Sequence, residues 1–74
     1  MSLTSYKGKT PQLADGVYVH PSSVLVGDIQ IGLHSSIWPL VAARGDVNII
    51  RIGERTNVQD GSVLHVSRPT TKNP

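Results

Sequence analysis

The chain has 74 residues, seven Lys and Arg against five Asp and Glu, and no cysteine. That length allows one small domain, which needs a metal, a partner or further sequence to reach useful stability, and without thiols that help is neither a disulfide nor a thiolate metal site. A net charge of +2 with no basic cluster, and only two tyrosines, one tryptophan and no phenylalanine, excludes the usual nucleic-acid surfaces, while no apolar stretch is long enough for a membrane helix.

Residues 1 to 15 are polar and aperiodic and predict a lead-in arm. No apolar run of the secretory type follows Lys7 and Lys9, so the expected location is cytoplasmic. Residues 16 to 66 are rich in Val, Ile and Leu and are broken by Gly, Asp and Ser. Their apolar residues do not recur with a helical period. Hairpins fit poorly as well, because Asp15-Gly16 precedes the first strand and Asp60-Gly61 interrupts a later one.

A period of six fits. Stepping from Val19 gives Leu25, Ile31, Ile37, Ala43 and Ile49; the phase then jumps by three to Ile52 and continues at Val58 and Leu64. Two places before these stand small or β-branched residues: Val17, Ser23, Ser35, Val41, Val47, Thr56 and Ser62. This pattern predicts an all-β fold, a parallel β-helix of hexapeptide repeats with two to three coils of roughly eighteen residues each. The aliphatics face inward and stack, and the small residues sit at corners. Residues 67 to 74 have loop composition. The coil ending near Val66 presents an open edge, so further coils or a second chain are expected to cover it.

Phase also sorts the polar residues. Arg44, Gln59 and His65 each follow an inward aliphatic, so alternation points all three outward. Gln59 and His65 lie one hexad apart, on neighbouring faces, and meet only if one face of a protomer packs against a different face of the next, as in a three-fold assembly. His20 and His34 read as solvated turn residues, and Trp38 as packing at a wall or interface.

The segments Ile37-Trp38-Pro39, Arg44-Gly45-Asp46 and Asn57-Val58-Gln59-Asp60-Gly61-Ser62-Val63-Leu64-His65-Val66 together resemble the gamma-class carbonic anhydrase-like family. Val17-Tyr18-Val19-His20-Pro21 and Val24-Leu25-Val26-Gly27-Asp28 are similar to its opening coil. The resemblance implies a left-handed parallel β-helix, a homotrimer, bound zinc or iron, and interconversion of carbon dioxide and bicarbonate. It matches His65 to the first of three metal-binding histidines and Gln59 to the residue that hydrogen-bonds the reacting hydroxide or bicarbonate. Arg44 and Asp46 match a pair at the trimer interface, and Asp60 an acidic neighbour. The family's other two histidines lie in later coils. The chain is therefore expected to be an N-terminal part that is not catalytic alone and whose partners include the remaining coils. Acyl transfer, or a non-catalytic binding role, is the other expectation for this scaffold.

Overall fold

The computed structural model describes residues 2–67, so the loop expected over 67–74 lies, beyond Ser67, outside the described residues. Among them are eight strands and no helix: β1 (Ser2–Thr4), β2 (Gln12–Leu13), β3 (Tyr18–Val19), β4 (Val24–Ile31), β5 (Ser36–Ile37), β6 (Ala42–Ile52), β7 (Asn57–Val58) and β8 (Val63–His65). Every pairing between named strands is parallel. Parallel neighbours need a crossover. Here the crossover is the chain winding around a prism, as the period of six requires.

Three walls result. The first stacks β1, the first half of β4, the first half of β6, and β8; the second stacks β3, β5 and β7. The third stacks β2 beneath the later halves of β4 and β6. The two long strands therefore turn a corner midway, and β4 does so where Gly27 adopts a φ of +85°. The polar arm is part of this architecture. Its β1 and β2 pair with β4 from below, and a tight turn closed by reciprocal Tyr6–Lys9 backbone bonds joins them.

The three-residue phase jump is visible in the register. Val24 pairs with Ala42, eighteen residues on, whereas Ile29 pairs with Ile50 and Ile31 with Ile52, twenty-one residues on. The extra residues enter just after Gly45, earlier than the hydropathy phase places them. Ile49, expected in the inward series, falls inside this irregular stretch. Ile50 takes the place above Ile29 and packs against the core.

Val19, Leu25, Ile29, Ile31, Ile37, Val41 and Ala43 form the buried core, with Ile52, Val58 and Leu64 half-buried beside it. Each fully buried aliphatic contributes about 1.5–3 kcal/mol. Ser23 and Ser35 are buried at corners, and each joins its coil to the next. Ser23 Oγ–H donates to Trp38 O at 2.6 Å and Ser35 Oγ–H to Gly53 O at 2.6 Å. The same oxygens accept Val41 N–H and Thr56 N–H. Ser62, the third serine of the series, turns its hydroxyl back to Gln59 O at 2.7 Å in its own corner.

Ahead of several of these corner residues stands a residue in the left-handed region: Gly16, His34, Leu40, Arg55 and Gly61. Leu40 has a φ of +61° and is 70% exposed, so its side chain gains little by burial while its backbone is strained. A left-handed conformation costs a residue with a Cβ about 1–2 kcal/mol, partly offset by the extra chain entropy that glycine loses on folding. Leu40→Gly is accordingly expected to stabilise the chain by up to about 1 kcal/mol, read as a higher urea midpoint. A lower midpoint would show that Leu40 makes a contact worth more than its strain.

Candidate functional site

On the first wall Arg44 sits in register between Val26 below and His65 above. Leu25, Ala43 and Leu64, one residue earlier, point into the prism, so Val26, Arg44 and His65 form one outward row. The Arg44 side chain is 63% exposed and its Nη1 lies 3.9 Å from Asp46 Oδ2. An exposed pair at that separation contributes little stability; its effect is to lean the guanidinium toward the irregular corner. His65 is exposed on the uppermost strand, and no hydrogen bond to its ring is found among the described residues.

The second wall carries another outward row. His20, Trp38 and Gln59 follow the inward Val19, Ile37 and Val58, and backbone bonds hold them one above another: His20 N–H to Ile37 O at 2.9 Å, Trp38 N–H to Val58 O at 3.0 Å. Beside it Tyr18, Ser36 and Asn57 are in register. Trp38 packs against Tyr18 at 5.3 Å between ring centroids and donates its indole N–H to Ser36 Oγ. Ser36 Oγ–H in turn donates to Asn57 Oδ1. An aromatic platform thus lies directly beneath Gln59, which is exposed. Asp60 is exposed at the following corner, and no side-chain hydrogen bond or ion pair of Asp60 is found among the described residues.

The two rows stand on different walls, so one chain does not bring Gln59 and His65 together. No group of three side chains able to hold a metal is found among the described residues. Two concave surfaces among the described residues lie elsewhere: one groove on the third wall is lined by residues that include Gln12, Leu13, Gln30, Ile31, Arg51 and Ile52. A second, beside the irregular corner, touches Asp46 but neither His65 nor Gln59. Neither groove is the site picked out by the side-chain chemistry, which lies on open outer faces.

The histidines differ in what their rings can do. His20 Nδ1 accepts Ser22 N–H at 3.1 Å and lies 2.9 Å from Ser22 Oγ. A backbone N–H always donates, so in the neutral ring Nδ1 is the acceptor and Nε2 carries the proton. That tautomer leaves Nε2 no lone pair for a metal. The His65 ring has no such constraint and keeps either nitrogen available as a ligand. The His20–Ser22 link is what sequence reasoning missed. The His-Pro-Ser spacing was its one trace, since a proline between them fixes the turn that brings the serine back.

No family model matches the chain. It is 46% identical over 72 residues to Protein YrdA of Escherichia coli (strain K12), covering 97% of this chain and 39% of that protein. It is 47% identical over 60 residues to Gamma carbonic anhydrase 2, mitochondrial, of Arabidopsis thaliana, covering 81% of this chain and 22% of that protein. Among solved structures it resembles a hexapeptide transferase family protein from Anaplasma phagocytophilum, with a TM-score of 0.73 at 24% identity over 86% of this chain and 50% of the other. That last likeness speaks to the fold alone. The chain thus spans well under half the length of the relatives it matches in sequence.

Proposed function

As a segment homologous to gamma carbonic anhydrases and wound as a hexapeptide-repeat solenoid, this chain, we propose, supplies part of a metal site shared between protomers. In a complete homotrimer that site would interconvert carbon dioxide and bicarbonate. The observation that carries the reading is the pair of outward rows: Arg44 beneath His65 on one wall, Trp38 beneath Gln59 on the next.

Each residue has a role suited to its surroundings. His65 offers an imidazole nitrogen free of competing bonds. Its donor set fits zinc or iron only as one ligand among several, and the remaining ligands come from outside this chain. A bound ion would supply the Lewis acidity that makes hydroxide available near neutral pH. Gln59, a neutral amide, orients the small oxyanion or hydroxide without competing for the ion. Arg44, held toward Asp46, fixes the facing protomer and presents positive charge to a bicarbonate. Trp38 and Tyr18 form an aromatic floor under Gln59.

Metal analysis of the full-length trimer tests this reading. The expected result is one zinc or iron per subunit interface, with carbon dioxide hydration that chelation removes. Absence of metal together with stoichiometric coenzyme A binding would instead favour acyl transfer on the same scaffold.

A further inference from the structure

Four left-handed corner residues of the upper coils share a feature that the first coil lacks. Each hangs its N–H on the coil beneath: His34 on Asp15 O at 3.0 Å, Leu40 on Ser22 Oγ at 2.9 Å, Arg55 on Leu33 O at 2.8 Å and Gly61 on Pro39 O at 3.0 Å. Gly16 is a corner of the same kind, with a φ of +72°. It precedes β3, the edge strand of the second wall, which has no strand beneath it. Among the described residues its N–H donates to nothing.

This difference falls on two chemically equivalent sequences. Gly16 follows Asp15, and Gly61 follows Asp60. Both aspartates are exposed, and both glycines have positive φ. In an Asp-Gly pair the glycine nitrogen, unshielded by a Cβ, is a good nucleophile toward the preceding side-chain carboxyl. At Gly61 that nitrogen is committed to Pro39 and must first break its bond. At Gly16 it is free.

We propose that Asp15–Gly16 is a site of spontaneous isoaspartate formation in the folded protein, while Asp60–Gly61 is protected by its bond to the coil below. The Gly16 nitrogen attacks Asp15 Cγ. A new N–C bond forms, the Cγ–OH bond breaks, and the amide proton leaves with that hydroxyl as water, closing a five-membered imide. Water then re-enters. Addition at Cγ restores aspartate. Addition at the main-chain carbonyl routes the backbone through Cβ and turns the former Asp15 carbonyl into a free carboxylate. That carbonyl is the acceptor for His34 N–H, and the Gly16 Cα lies directly against the His34 ring. The lengthened backbone therefore loosens the contact between the first and second coils.

The test ages the chain at neutral pH and body temperature and maps isoaspartate at both sites by peptide analysis, with protein L-isoaspartyl methyltransferase as the counting probe. A net hydrogen bond of about 1 kcal/mol predicts accumulation at residue 15 at least about fivefold faster than at residue 60. In strong denaturant the two rates converge. Asp15→Glu, which closes an imide far more slowly, removes most methyl acceptance without touching the corner's bonds. Equal rates in the folded chain, or faster conversion at residue 60, would overturn the proposal. So would amide exchange in which Gly16 is protected and Gly61 is not.

Discussion

Gly45→Ala is expected to cost about 3 kcal/mol, near the upper end for overpacking, and to leave much of the chain unfolded. A Cβ at this position would stand no farther than 3.0 Å from the backbone N, C and O of Asp28 in the coil below. Backbone cannot step aside as the end of a side chain can. Gly27 is in register with Gly45, and a Cβ there would meet Gly45 O in turn. The two glycines are the means by which two long strands turn the same corner in contact. A domain this small holds only about 3–5 kcal/mol in its core, so one such clash consumes most of it. Urea denaturation of the wild-type and variant chains measures the loss. Gly53→Ala is the control: φ is unremarkable there and the nearest atom is Thr56 Oγ1 at 3.8 Å. A Gly45→Ala chain as stable as that control would show that the corner gives way.

His65→Ala in the full-length protein is expected to lower metal affinity at least about a hundredfold, beyond the usual effect of losing a group that merely orients a ligand, while the assembly stays intact. The asymmetry follows from where the ring sits. His65 is exposed on an outward row, and its inward neighbour Leu64 does the packing. Surface substitutions of this kind move stability by about 0.5 kcal/mol or less. Metal content by mass spectrometry and assembly state by sedimentation read the two halves independently. Metal retained at wild-type stoichiometry would remove His65 from the site. Metal lost together with the assembly would make the histidine a structural residue.

Much of this architecture was legible in the residues, for a physical reason. A solenoid repeats the same burial problem every turn, so Val19, Leu25, Ile31 and Ile37 report one geometry several times over. The jump of three survived in the phase because Ile52, Val58 and Leu64 resume the inward series after it. Its location did not, because Ile49 and Ile50 are both aliphatic and hydropathy cannot distinguish them. The edge strand β1 was hidden for a different reason: it binds through backbone groups, and Ser2 and Thr4 carry no inward pattern to betray it. β2 left one mark, since Leu13 stands six residues before Val19, pairs with Ile31 and packs against the core. The outward direction of Arg44, Gln59 and His65 needed only alternation. The need for glycine at position 45 depends on a neighbour seventeen residues back, and no local feature of Arg-Gly-Asp announces it.

Ser62 has one more implication. Its two counterparts lower in the prism each clasp the coil above, while its own hydroxyl is parked on Gln59 O. A buried latch with no catch would leave a polar group unsatisfied and penalised. This one idles at no such cost. Swinging a single side-chain torsion exchanges the parked state for the engaged one, so another turn of the spiral can click into place without any backbone being remade.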